Sequence, residues 1–113
     1  MKIAISTDAD FVSAHFGRCP SFTIAEIEEG KVLKIEKINK PGHQPAFLPN
    51  FLAERGVKYI ICGGMGNRAQ ILFAEKKISP IVGITGKIDE VIEKFAQEEL
   101  KGGESLCKPG AGK

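Results

Sequence analysis

A chain of 113 residues, 42% hydrophobic and 27% charged, has room for one modest core and none for separate cofactor and substrate domains. Sixteen basic and fourteen acidic residues are interspersed to a net charge of +2, so no basic stripe points to nucleic acid, and no apolar run approaches the ~20 residues that span a bilayer. The first residues lack the long apolar region of a signal peptide, and three widely spaced cysteines make no disulfide framework, so a reducing, cytoplasmic setting is expected.

In chain order, residues 2–7 form an apolar run that predicts a strand buried on both faces, and residues 8–20 a polar loop containing Gly17 and Pro20. Phe22, Ile24 and Ile27, interleaved with Thr23 and Glu26, predict a second strand, and residues 32–38 a third. Between them Glu28-Glu29-Gly30-Lys31 reads as a tight hairpin, with Gly30 supplying a positive φ. Pro41-Gly42 and Pro45 break the chain before a short helix at about 47–55, where Pro49 is tolerated in the first turn and Gly56 ends it. Val57 to Cys62 is a near-continuous apolar strand, and glycines 63, 64 and 66 lead into a helix over about 67–77. Residues 80–84 make a short strand. Ile88, Val91, Ile92, Phe95 and Ala96 then keep the spacing of an amphipathic helix. Residues 101–113, rich in glycine and closing on Lys108-Pro109-Gly110-Ala111-Gly112-Lys113, read as a flexible tail to a single domain over 1–100.

The expected fold is therefore α/β. It is a five-stranded mixed sheet of order 3-2-1-4-5 with the second strand antiparallel and three helices, a ribonuclease-H-like motif. Right-handed crossovers end the first, third, fourth and fifth strands at one rim, where α/β sheets bind ligands. The loops at 8–20, 40–46, 63–67 and 85–87 are expected to meet there. Both histidines of the chain, His15 and His43, fall in these loops.

Two chemistries suit that rim. Imidazole and thiolate are ligands for iron, copper, zinc or a metal–sulfur cluster, which makes His15, Cys19 and His43 the metal candidates. Arg18, His15 and the amides around Gly63, Gly64, Met65 and Gly66 form a candidate anion site, because glycines admit a ligand to the backbone and the next helix starts with unpaired N–H groups. The plainer readings are a tight strand-to-helix turn for the glycines and surface hydrogen bonding for the histidines. Met65 is either a soft contact or a turn residue. Cys62 reads as a small buried hydrophobe, and Cys107 lies in the tail. No C-x-x-C or H-E-x-x-H pattern marks a dedicated zinc or iron–sulfur site.

Gly64-x-Gly66-x-x-Ala69 also fits a dinucleotide fingerprint, but Val82-Gly83-Ile84 supplies no acidic residue for a ribose and the chain is too short for two mononucleotide halves. Asp8 and Asp10 alone do not make a two-metal nuclease, since the fourth strand ends in Cys62 and glycines. No nucleophile–base or carboxylate pair stands out, so an enzyme is not expected.

Three spaced segments carry a family resemblance: Ser13-x-His15-Phe16-Gly17-Arg18-Cys19-x-x-Phe22, Pro41-Gly42-His43, and Gly63-Gly64-Met65-Gly66-x-x-Ala69. Over about residues 1–105 the chain is similar to the dinitrogenase iron–molybdenum cofactor biosynthesis family of small nitrogenase accessory proteins. The resemblance implies a ribonuclease-H-like fold and a non-enzymatic carrier of an iron–sulfur or molybdenum-containing cluster, or of its precursor. It implies cluster contacts at His15, His43 and Cys19, and partner proteins that donate and accept the cluster. The tail departs from relatives with histidine- and cysteine-rich extensions, keeping only Cys107. The competing expectation is a regulatory module that binds a small anion or nucleotide through the 63–67 glycine loop.

Overall fold

The computed structural model describes residues 1–39 and 47–100; His43, the 40–46 loop, the expected tail and Cys107 lie outside them. The described residues form a six-stranded mixed sheet flanked by three helices. In chain order the elements are β1 (Lys2–Asp8), β2 (Phe11–Val12), a 3-10 turn (Phe16–Arg18), β3 (Ser21–Glu28), β4 (Lys31–Asn39), α1 (Phe47–Glu54), β5 (Val57–Ile61), α2 (Asn67–Glu75), β6 (Ser79–Ile81) and α3 (Ile88–Leu100). The main path across the sheet is β4-β3-β1-β5-β6, with β2 paired to β1 off that path.

β1 is central. It pairs antiparallel with β3, placing Ile3 opposite Ala25 and Ile5 opposite Thr23. On its other side it runs parallel to β5, with Ile5 in register with Ile61. Side chains alternate along a strand, so β1 feeds two cores. Ala4 joins Phe22, Ile24, Ile60 and Cys62 under Leu52 of α1 and Phe73 of α2. Ile3 and Ile5 join Ala25, Ile27, Ile61 and Ile81 under Ile88, Ile92, Phe95 and Ala96 of α3. The apolar spacing in 88–96 therefore marks the face that α3 buries. The β3–β4 hairpin turns through Glu29 and Gly30 at φ 51° and 78°, the two positive values a type I′ turn requires.

The structure corrects the expected five strands to six. Within the segment expected to be loop, Asp8-Ala9-Asp10-Phe11 doubles back so that Thr7 faces Val12 and Asp8 faces Phe11. The turn places Ala9 at φ 56°, a conformation that alanine rarely takes and that sequence patterning does not flag. The last strand is also shorter than expected, ending at Ile81 rather than residue 84. Gly83 sits at φ 80° and bends the chain toward the Gly63 loop.

Phe16 fastens the 3-10 turn to the core. Its ring is edge-on to Phe73 at 5.2 Å and tilted against Phe22 at 5.9 Å, and the side chain is buried. Phe16→Ala is expected to cost about 3–5 kcal/mol, as other large-to-small aromatic truncations do. Denaturant unfolding measures that loss, and amide exchange should show the 13–19 segment opening first.

Candidate functional site

The rim beyond the carboxyl ends of β1, β5 and β6 is assembled by main-chain contacts among three loops. The Ser13 N–H donates to Ser6 O at 2.8 Å, extending the β1–β2 pairing by one step. The Gly63 N–H then donates to Ser13 O at 2.9 Å, and the Phe16 N–H to Gly64 O at 2.8 Å. From the third loop, the Gly83 N–H donates to Gly63 O at 2.8 Å and the Ile84 N–H to Cys62 O at 3.2 Å. Gly86 O accepts from the Val12 N–H, and Asp10 O accepts from the Ile88 N–H at the start of α3. Each loop thus satisfies backbone groups of another, which buried peptide groups require.

Gly63 is the tightest point. A Cβ there would lie 2.8 Å from Ala14 Cα and 2.9 Å from the carbonyl oxygens of Ser13 and Ala14. A Cβ on Gly64 would lie 3.1 Å from Ala14 O and 3.9 Å from His15 Nδ1. His15, exposed, therefore stands directly beside the glycine loop. Ser13 holds it there: its buried Oγ donates to His15 O at 3.0 Å and accepts from the His15 N–H at 3.3 Å.

The glycine loop runs into α2 with Gly66 as the N-cap residue, and no side chain bonds over the first turn. That turn has no acidic residue and carries the exposed Arg68, so the positive end of the helix is not offset locally. Met65 is half-buried against the α1–α2 core, and its carbonyl accepts from Gln70 Nε2 at 2.9 Å. Arg18 is exposed at the end of the 3-10 turn, its N–H donating to His15 O. The rim therefore gathers an exposed imidazole, exposed guanidinium groups and the start of a helix without a side-chain cap.

Cys19 lies on the same loop but points the other way. It is 2% exposed and packs in the core that holds Phe16, Phe22 and the fully buried Cys62. Both are thiols, and burial pushes Cys62 up to about 11, with the negative charge of a Cys19 thiolate adding to the rise. Among the described residues no three His, Cys, Asp or Glu side chains gather as a metal site. Of the expected site residues, the structure brings His15, Gly63, Gly64, Met65 and Gly66 together, with Arg18 on the adjoining turn. His43 lies outside the described residues.

Sequence reasoning missed Ser13 as a positioning residue and Gln70 as the clasp on the glycine loop. Ser13-x-His15 carried the signal for the first, a hydroxyl two residues before the side chain it orients. Ser6 was missed as well: its Oγ is fully buried on the Ala4 face of β1, with no hydrogen-bond partner among the described residues.

Two measurements follow. Gly63→Ala forces backbone apart and should cost about 1–3 kcal/mol, as overpacking does. Gly17→Ala, where an added Cβ meets nothing within 4 Å, should change stability by less than about 0.5 kcal/mol. For Cys62, folding raises the thiol from its ordinary 9.0 to about 11. The stability tied to that proton is whole below pH 9.0 and is lost as pH rises to about 11. Denaturant titrations across this window should fall more steeply for the wild type than for Cys62→Ala.

Comparison with known proteins places this geometry among relatives. Residues 1–98 match the family model described as dinitrogenase iron-molybdenum cofactor. An uncharacterized protein of Methanocaldococcus jannaschii, MJ0580, is 33% identical over 106 residues, covering 89% of this chain and 90% of its own. The crystal structure of PH0822 is 35% identical and superposes with a TM-score of 0.81 over 86% of this chain and 89% of that one. The apo form of the orange protein from Desulfovibrio gigas shares the fold alone, at 18% identity and a TM-score of 0.64 over 89% of this chain and 88% of that one. With a match across nearly the whole described chain, and with the glycine loop and His15 side by side on one rim, the protein belongs to the dinitrogenase iron-molybdenum cofactor family.

Proposed function

We propose that the protein is a non-enzymatic carrier that binds an iron–sulfur or molybdenum-containing cluster, or its precursor, at the His15–glycine-loop rim and passes it between a donor and an acceptor protein. The observation that carries this reading is an exposed imidazole held beside Gly64 at the uncapped start of α2, in a chain of this family. Metal–sulfur clusters are commonly anionic. Helix-start N–H groups, Arg18 and Arg68 would hold such a cargo electrostatically, while His15 and His43 would supply nitrogen ligands. Few covalent ligands favour release, which a carrier needs. Cys19 would enter the ligand set only if the 3-10 turn opened, because its sulfur is packed inside. The reading includes a ribonuclease-H-like classification of the sheet, supported by an antiparallel β3 beside parallel β1, β5 and β6.

A regulatory module that takes a small anion or nucleotide is the competing reading, favoured by the glycine N-cap of α2 alone. Anaerobic reconstitution with metal analysis separates the two. The carrier reading expects bound metal and charge-transfer absorption. If no metal binds while a phosphate compound raises the melting temperature, the regulatory reading replaces it. In the reconstituted protein, His15→Ala and His43→Ala should each weaken cargo binding several-fold or more. Stability should change by less than about 0.5 kcal/mol for the exposed His15. Full cargo retention in both variants would move the site away from this rim.

A further inference from the structure

Among the described residues no strand lies beyond β4 along the main path, and this edge mixes charged with exposed apolar side chains. Natural edges are kept short or blunted with charge and proline. β4 runs nine residues, Lys31-Val32-Leu33-Lys34-Ile35-Glu36-Lys37-Ile38-Asn39, without proline. Val32, Leu33 and Ile35 are 37%, 58% and 53% exposed, so three of the large apolar side chains on the surface are adjacent on this one strand.

We infer that β4 is a self-pairing edge, at which two copies of the chain join antiparallel about a two-fold axis through Ile35 and extend one sheet across the dimer. The sequence is self-complementary in that register. Ile35 meets its own copy on the face that α3 covers. Lys34 faces the partner's Glu36, and the two-fold repeats that pair. Among the described residues neither Lys34 nor Glu36 is in an ion pair, although Lys34 stands across from Glu26 of β3. Opposite charges directly across an antiparallel pair attract and like charges repel, which fixes the register as well as the partner. The irregularity between Glu26 and Ile27, where Leu33 is the extra residue, breaks the edge before Lys34, so the regular self-pairing stretch is Lys34–Glu36 about Ile35. The edge is remote in sequence from the His15 loop, so this association stands whether or not the rim carries a cluster.

The test uses charge reversal in the full chain, read by sedimentation. Wild-type protein should dimerise reversibly with concentration, and exchange of the β4 amides should slow as it does so. Lys34→Glu and Glu36→Lys each turn both attractive pairs repulsive and should weaken self-association about tenfold or more. Mixed together, the two variants restore both opposite-charge contacts and should form a heterodimer as readily as the wild type. That recovery cannot come from misfolded chains. A wild type that stays monomeric with β4 exchange independent of concentration overturns the inference. So does a pair of variants that each self-associate like the wild type, or that fail to recover when mixed although each is folded by circular dichroism.

Discussion

Everything at the rim depends on the absence of one side chain. Gly63 lets two loops distant in sequence lie backbone against backbone, closer than any Cβ would permit. The hydrogen bonds from Gly63 to Ser13 and from Phe16 to Gly64 are possible only at that approach, and they set where His15 stands. The glycine is thus a spacing constraint rather than a hinge. Its φ lies outside the left-handed region, so proximity and not backbone conformation is what excludes other residues there.

The same contact explains how a small protein holds this rim in place. Phe16 anchors the 3-10 turn into the α1–α2 core from below, while the glycine loop clamps it from above. Asp10 and Gly86 extend the clamp to α3 and the loop before it. A hydroxyl ladder stiffens the strands beneath: the Thr7 hydroxyl donates to Ile5 O at 2.8 Å, leaving Thr23 to donate to Thr7 at 2.7 Å. Loops with satisfied backbone groups and a packed aromatic root open less often than solvent-facing ones.

Much of this architecture is written in local patterns. The buried periodicity of 88–96, the Glu29-Gly30 hairpin and the apolar run of β5 each specify an element through short-range physics, and their order specifies which strands lie side by side. β2 escaped notice because a two-residue strand has no periodicity and its turn rests on an alanine at positive φ. The limits of β6 depend on Gly83 hydrogen bonding to Gly63, a contact with no local signature. At the site, the glycine loop and His15 were legible because topology alone carries both to one rim. The orientation of Cys19 was not. Spacing cannot distinguish a thiol facing solvent from one turned inward, and here packing with Phe16 and Phe22 decides it.

The inward turn of Cys19 bears on durability. With Cys19 and Cys62 both enclosed, the described rim presents imidazole, guanidinium and amide groups, which oxygen leaves intact. Met65 is the oxidisable side chain among the described rim residues, and it is half covered by the core. Oxidation of the described rim in air would therefore begin at Met65, and its cover by the core slows that step.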